Sequence, residues 1–406
     1  MREHIFLTGA TGAIGVPLAA RLLSRPSLER LTSIVRSSTD ASTLPTILTS
    51  LNPAADITKL RVIIGDVTHA GLGLTQRING PPITSVIHGA AFTKFRDSGS
   101  QWERVNVKGT GEVLRWRETN CPDARLIYLS TLCAAGKTIG SIPEAPLEEP
   151  EDFVNGYEAS KWHAEQIVQR AGGPVAILRL ATVVGSQSDG SLRRVGAFHN
   201  VLRWVYRGLL PLIPGEKNAR VGLIPTEYVT EGVNRLLNAP LPAAAAFYHF
   251  SRGQSAIPLV ELIHLCASRF CRESEAWRRR QIDAPIVAPV AAFEDFRRSV
   301  VASRDLLFTQ VLESVDSFLP ELFFPKQFST KATAALFDGH LPLPDWKEWM
   351  ERVLDFSLRS LSAATYELAT HAQTLSHSRG IREDLTRLHQ HRASDRPSEG
   401  SRSPTI

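Results

Sequence analysis

The feature that most constrains the fold is a glycine turn close to the start of the chain, at residues 8–15. The apolar run before it, residues 5–7, predicts a buried strand, and leucines at helical spacing from Val16 onward predict a helix. In this order of strand, turn and helix, the three glycines have separate roles. Gly9 permits the turn, Gly12 lets the backbone approach a pyrophosphate, and Gly15 lets the helix pack closely on the strand. The start of the helix would present free N–H groups to phosphate. We therefore predict a dinucleotide site formed by Gly9, Thr11, Gly12, Ala13, Ile14 and Gly15.

Further apolar runs continue the pattern along the chain. A helix is predicted at residues 105–115, and strands are predicted at residues 31–35, 60–64, 85–88, 126–129 and 175–180. Strands that alternate with helices predict an α/β protein with a doubly wound parallel sheet, the Rossmann fold. Such a sheet binds its ligands at the carboxyl ends of its strands.

Residues that directly follow these strands are candidates for cofactor contacts. Arg36 follows the second strand, where an acidic residue would bind the 2′-hydroxyl of NAD and an arginine suits the 2′-phosphate of NADP. The alternative is an ordinary surface arginine. Asp66, next to Val67, is placed to bind the adenine amine, and Ala90 and Ala91 are small where backbone must approach a cofactor. We predict NADPH as the cofactor.

Tyr157 and Lys161 are four residues apart in a predicted helix, so a phenol and an ammonium face the same space. Such pairs also occur on ordinary helix surfaces, but Thr131 at a strand end and the earlier Asn106 favour a catalytic site. A free phenol has a pKa of about 10, and a nearby cation brings it closer to neutrality, where it exchanges protons readily. Reduction of a carbonyl builds negative charge on its oxygen. We predict that Tyr157 donates a proton to this oxygen and that Thr131 donates a hydrogen bond to it.

These residues lie in motifs that resemble the extended short-chain dehydrogenase/reductases. Within them the chain is most similar to the thioester reductase and fatty acyl-CoA reductase branch, the male sterility-like NAD-binding proteins. Besides the glycine turn and GDV at 65–67, the matching motifs are HGAAFTKF at 88–95, NVKGT at 106–110, YLSTLCAAG at 128–136, NGYEASKWHAE at 155–165, RLATVVG at 179–185 and LIPTEYV at 223–229. Two positions depart from the family pattern, Leu180 in place of proline and Glu227 in place of aspartate.

The resemblance implies an NADPH-dependent reductase of an acyl thioester, carried by coenzyme A or a carrier protein, that forms an aldehyde or an alcohol. It also implies that Lys161 binds the nicotinamide ribose and that Asn106 positions a water near this lysine. One alternative is a same-fold reductase, dehydrogenase or epimerase acting on a ketone, a sterol-like compound, a secondary metabolite or a nucleotide sugar. A non-catalytic NADP-binding sensor is a further alternative, which the intact Tyr157 and Lys161 disfavour.

Composition limits the remaining possibilities. The 406 residues carry a net charge of +5, with arginines scattered along the chain, which does not indicate a nucleic-acid partner. The sequence shows no signal peptide and no apolar run of the about eighteen residues that a membrane span needs. The four cysteines have no metal-ligand spacing, so we predict a cytoplasmic protein without a metal. The sequence leaves the oligomeric state open.

Three regions are predicted: a Rossmann NADP-binding and catalytic domain at 1–255 with a substrate-region insertion at 186–220, a mostly helical substrate or lid region at 256–372, and a disordered tail at 373–406. Arg193 and Arg194 in the insertion precede aromatic residues such as Phe198. This mixture suits an anionic arm with an apolar acyl end. It equally suits an ordinary amphipathic helix.

Overall fold

A computed structural model describes residues 2–94, 100–315 and 319–364 of the chain. Its strands, numbered in chain order, are β1 (Glu3–Thr8), β2 (Leu28–Val35), β3 (Leu60–Ile64), β4 (Ser85–His88), β5 (Arg125–Thr131), β6 (Gly140–Ile142), β7 (Val175–Leu180), β8 (Thr182–Gly185), β9 (Leu212–Pro214), β10 (Arg220–Val221), β11 (Leu223–Pro225), β12 (Ala246–Phe250), β13 (Ile257–Pro258), β14 (Ile286–Ala288) and β15 (Lys326–Phe328).

The helices follow the same order and occupy most of the chain between the strands. They are α1 (Gly15–Leu23), α2 (Ser38–Leu51), α3 (Gly109–Asn120), α4 (Gly156–Val168), α5 (Ala197–Tyr206), α6 (Thr226–Leu236), α7 (Leu259–Glu273), α8 (Glu275–Arg278), α9 (Val290–Ser303), α10 (Leu306–Val315), α11 (Pro320–Phe323), α12 (Lys331–Leu336) and α13 (Trp346–Ala364). A π-helix, Trp102–Lys108, leads directly into α3.

Seven parallel strands form the main sheet, in the order β3-β2-β1-β4-β5-β7-β12. This arrangement, with helices between the strands, confirms the predicted doubly wound α/β fold. The order changes direction between β1 and β4, where Thr8 and His88 pair in register. A doubly wound sheet binds its ligands at this switch point, so the glycine turn after β1 lies at the expected place.

Strand β1 shows why its sequence is apolar throughout. Ile5 and Leu7 belong to one hydrophobic cluster, whereas Phe6 between them belongs to another and stacks on Trp116 at 4.3 Å between ring centroids. Successive side chains of a strand point to opposite faces of the sheet. Because both faces are covered, no position of the strand centre is left to a polar residue.

The predicted elements agree with the observed ones in position and differ at some ends. The strands at 60–64, 85–88 and 175–180 match, and the strand at 126–129 extends to Thr131. The helix predicted at 105–115 starts earlier, as the π-helix, and its wide turns contain Asn106. The periodicity of the sequence does not reveal this change from α-helix to π-helix.

Strands after residue 255 pair with strands before it. β13 pairs with β10, β14 with β9, and β15 with β6, each in a two-stranded sheet. The chain divides after Phe356 into two units, and the first contains the main sheet and every site residue discussed below. The region boundaries at 255 and 372 stay predictions, and the predicted tail at 373–406 lies outside the described residues.

Candidate active site

Glycines shape the turn that follows β1. Gly9 has a φ of +80°, and a Cβ there would lie 2.6 Å from the backbone carbonyl of Gly89. A Cβ on Gly15 would lie 1.9 Å from the carbonyl oxygen of Gly9, so α1 approaches β1 this closely only with glycine. Among the described residues, no side chain caps the start of α1. The Val16 N–H already donates to the Gly12 carbonyl at 3.2 Å and Pro17 has no N–H, so it is the narrow backbone cradle and the positive end of the helix dipole that fit the pyrophosphate of a dinucleotide.

A cavity of about 720 Å³ lies at the carboxyl ends of the strands, within the range of about 300–1,000 Å³ typical of ligand sites. One part of its surface, here called the sheet wall, contains many of the predicted residues: Gly9, Gly12, Ala13, Ile14, Gly15, Ala91, Thr131, Tyr157 and Lys161. Another part, the loop wall, comes from α5, the loop before it and α10: Arg194, Val195, Gly196, Ala197, Asn200, Glu313 and Ser314.

Tyr157 and Thr131 meet because α4 begins next to the end of β5. The Asn155 side chain caps α4 by accepting a hydrogen bond from the Glu158 backbone N–H at 3.0 Å, which fixes where the helix starts. Burial raises the pKa of Tyr157 above its ordinary value, and a side-chain hydrogen bond with Thr131 offsets part of this rise. The pKa of Tyr157 is thus raised, and the expectation that the Lys161 cation brings it closer to neutrality is wrong, because desolvation outweighs any effect of that charge.

Lys161 lies one helical turn further along α4 and is almost fully buried. Its Nζ donates hydrogen bonds to the Tyr128 hydroxyl at 2.6 Å and to the Leu129 carbonyl at 2.7 Å. Burial lowers the pKa of Lys161 to about 7, and the nearby Glu165 carboxylate opposes this change. The ammonium is thus held on β5 at the cavity wall. Tyr128, a buried residue of β5 two positions before Ser130, is a partner that the sequence analysis missed.

Asn106 uses its side-chain amide to connect two parts of the site. The amide accepts a hydrogen bond from the Phe92 N–H at 2.7 Å and donates to the Phe92 carbonyl at 3.0 Å. It also donates to the Ser160 hydroxyl at 2.9 Å, which in turn donates to the Tyr157 carbonyl at 2.7 Å. Asn106 therefore ties the segment after β4 to α4. Its predicted role in positioning a water stays a prediction.

Six predicted residues, all in the described ranges, lie outside the cavity wall: Thr11, Arg36, Asp66, Val67, Ala90 and Asn106. Arg36 is exposed and follows β2, next to Asp66 after β3. Burial acts to raise the pKa of Asp66, but hydrogen bonds from Thr68 and the charges of His69 and Arg36 lower it below its ordinary value. Arg36 and Asp66 lie beyond the carboxyl ends of β2 and β3, where an adenosine ribose lies in this fold.

Glu158 is a second residue that the sequence analysis missed. It lines the cavity beside Tyr157, is 5% exposed, and accepts a hydrogen bond from the Val154 N–H at 3.1 Å. Burial raises its pKa to about 7, against the lowering effects of the Val154 hydrogen bond and the charges of Lys326 and Lys137. Its place directly after Tyr157 could have marked it, but a glutamate three residues after a capping asparagine is also an ordinary helix start.

A fully buried ion pair supports the sheet wall from behind. Arg179 on β7 donates to the Glu165 carboxylate, with Nη2 and Oε2 2.8 Å apart and both side chains fully buried. Ser130, which precedes Thr131, donates to the same carboxylate. Arg179 also contacts the His249 ring at 3.1 Å and donates to the Ala145 carbonyl at 2.9 Å. The pair thereby joins α4 to the ends of β5 and β7.

Two further features were searched for in the described part of the chain. It contains no group of three or more His, Cys, Asp or Glu side chains that could hold a metal ion. None of the helices found there combines the length and the apolar character that crossing a bilayer requires.

The fold and this site agree with a known family. A family model described as male sterility protein, an NAD-binding family, matches residues 7–233. The chain belongs to this family, and with it to the extended short-chain dehydrogenase/reductases, which are NAD(P)-dependent oxidoreductases.

Curated relatives are much longer than this chain. It is 27% identical over 264 residues to isonitrile lipopeptide synthase of Streptomyces coeruleorubidus, a match that covers 61% of this chain and 17% of that protein. It is 29% identical over 255 residues to the L-2-aminoadipate reductase large subunit of Eremothecium gossypii, covering 56% and 18%. The matches cover between 6% and 26% of the length of these and similar curated relatives.

Solved structures show the same fold. The terminal R domain of the myxalamid PKS-NRPS pathway superposes with a TM-score of 0.70 at 23% identity, covering 88% of this chain and 91% of that domain. A thiolation-reductase di-domain of an archaeal non-ribosomal peptide synthetase superposes with a TM-score of 0.68 at 18% identity, covering 89% and 76%. Both extend over the region after residue 255, so the fold likeness is not limited to the main sheet.

Proposed function

We propose that this protein reduces an acyl thioester, held on the pantetheine arm of a carrier protein or on coenzyme A, to an aldehyde or an alcohol with NADPH. The observation that carries this proposal is that Tyr157, Thr131 and Lys161 line one cavity together with the glycine turn. The family membership and the printed names of the relatives, reductase domains and peptide synthetases, support the thioester as the substrate class.

The glycine turn and the start of α1 would hold the pyrophosphate, and Arg36 would contact the 2′-phosphate of NADPH. The reduced nicotinamide, when bound, supplies the hydride. Gly9 and Ala91 on the sheet wall have little or no side chain, so this cofactor would lie close to their backbone.

Hydride addition to the thioester carbonyl leaves negative charge on its oxygen. Tyr157, whose pKa burial raises, donates its proton to that oxygen, and the Thr131 hydroxyl donates a second hydrogen bond to it. The Lys161 ammonium stabilises the phenolate that remains. The protonated adduct then loses its hydroxyl proton as the C–S bond breaks, and a proton is taken up by the leaving sulfur, which gives the aldehyde and the free thiol of the arm. A second NADPH would supply the hydride, and Tyr157 the proton, for reduction to the alcohol.

The test is the oxidation of NADPH, followed by its absorbance, with a panel of acyl thioesters, ketones and nucleotide sugars. Turnover with thioesters and formation of aldehyde or alcohol are expected. Turnover with a ketone or a nucleotide sugar in place of thioesters would instead favour the same-fold alternatives. Tight NADPH binding without turnover of any substrate would indicate a sensor. NADH in parallel measures the cofactor preference.

A further inference from the structure

The ammonium of Lys161 is held by β5, the strand that ends at Thr131. Of its three N–H donors, one goes to the Tyr128 hydroxyl at 2.6 Å and one to the Leu129 carbonyl at 2.7 Å. The same nitrogen lies 4.2 Å from the centroid of the Tyr128 ring. Lys161 is 2% exposed, so this lysine depends on protein groups for the interactions that water would otherwise supply.

Tyr128 is itself fixed from behind. It is 1% exposed, and its ring lies 5.5 Å from the ring of His88 on β4. The Thr110 hydroxyl donates to the Asn106 carbonyl at 2.6 Å, so the His88 Nε2, 3.0 Å away, must donate to Thr110. His88 Nδ1 then accepts from the Thr8 hydroxyl at 2.7 Å. This assignment leaves His88 neutral, and burial, its largest cause, lowers the pKa of His88 to about 3.

We infer that Tyr128 is a positioning residue that keeps the Lys161 ammonium charged and pointed at the cavity. The inference rests on the proposed function, in which Lys161 assists Tyr157. A hydrogen bond to the ammonium stabilises its charged form, and a hydroxyl in an apolar wall gives this stabilisation without adding a negative charge. A carboxylate there would compete with the Tyr157 phenolate for the lysine, whereas a neutral phenol does not.

The groups that face Lys161 are few, so its titration can be interpreted. On its own helix they are Tyr157 and Glu165; from β5 it meets Tyr128, and from β4 the neutral His88. Among the described residues, the Glu165 carboxylate, which is paired with Arg179, is the charged group that acts on the pKa of Lys161, and the Tyr128→Phe substitution leaves this pair in place. A change in the Lys161 pKa in this variant therefore reports the loss of the hydroxyl.

The experiment measures Lys161 directly in the protein without cofactor. Lysine labelled with ¹³C at Cε is titrated by NMR, and the Lys161 signal is identified by its absence from the spectrum of Lys161→Arg. Wild type should titrate near 7, and Tyr128→Phe should lower this pKa by about one, the weight of one hydrogen bond to a charged group. An unchanged Lys161 titration in the variant would overturn the inference. Tyr128→Leu, which also lacks the hydroxyl, replaces the phenylalanine variant if that one does not fold.

Turnover gives a second readout. A neutral lysine cannot assist Tyr157, so kcat falls as the pH rises through the Lys161 pKa, and in Tyr128→Phe this fall should begin at lower pH. A loss of kcat by the same factor at every pH would contradict the inference. The matched control is Tyr228→Phe, since the buried Tyr228 hydroxyl has no hydrogen-bond partner among the described residues and should leave both titrations unchanged.

The two proposals fail in different ways. A lowered Lys161 pKa in the cofactor-free variant, in a protein that reduces no thioester, would leave the inference standing and overturn the proposed function. Thioester reduction by wild type with an identical Lys161 titration in both proteins would do the opposite.

Discussion

The two walls of the cavity differ in how deeply their side chains are buried. On the sheet wall, Lys161 is 2% exposed and hydrogen bonded to two groups of β5, and the buried Glu165–Arg179 pair fixes the elements behind it. On the loop wall, Arg194 is exposed and Val195 beside it is 47% exposed. Under the proposed function, buried contacts would fix the reacting groups, and the solvent-facing residues would contact the part of the substrate that lies outside the sheet wall.

The strongest test of the sheet wall is Glu165→Gln. The substitution keeps the shape but leaves the buried Arg179 without its counter-charge, which should cost about 3–5 kcal/mol of unfolding free energy. Urea unfolding followed by circular dichroism measures it. The control is Glu231→Gln, whose partners Arg21 and Arg235 are 44% and 37% exposed, and this change should cost less than about 1 kcal/mol. Equal losses in both variants would mean that burial does not distinguish the two ion pairs.

Tyr157→Phe tests the chemistry of the sheet wall rather than its stability. The substitution removes the proton donor and keeps the ring, so kcat should fall by about a hundredfold or more, the usual contribution of a general acid. NADPH binding, measured by fluorescence titration, should persist. Tyr248→Phe on β12 is the control and should keep full turnover. Turnover near that of wild type in Tyr157→Phe would remove this residue from the mechanism.

Arg36→Asp tests a residue that is exposed like the loop wall but lies at the cofactor end. One lost charge-assisted contact, of about 1.5–3 kcal/mol, should weaken NADPH binding by roughly ten- to a hundredfold, whereas NADH binding should not weaken, since an acidic residue at this position suits the 2′-hydroxyl of NAD. The matched control is Arg77→Asp, the same charge change at another exposed arginine. If the ratio of the NADPH and NADH dissociation constants stays the same, Arg36 does not read the 2′-phosphate.

The sequence predicted the sheet wall better than the loop wall, for a physical reason. Local patterns decide a strand, a glycine turn and the i, i+4 spacing of Tyr157 and Lys161, and the structure has all of these in place. The contact between Lys161 and Tyr128 joins residues 33 positions apart and depends on how α4 packs on β5. Arg194 lies in an exposed loop whose course no periodicity determines, so only the structure could separate it from its neighbour Arg193.

The different positions of Arg194 and Arg193 lead to the prediction with the smallest and most specific effect. Arg194 lines the cavity, whereas Arg193, which is also exposed, does not, so the two form a matched pair. If Arg194 contacts the anionic arm of the substrate, Arg194→Ala should raise the KM for a carrier-bound or coenzyme A thioester about two- to fivefold, the weight of an exposed ion pair. The KM for a truncated, uncharged thioester of the same acyl group should not change, and Arg193→Ala should change neither. Equal effects of Arg194→Ala on the charged and uncharged substrates would mean that the loop wall shapes the acyl site and does not recognise the arm.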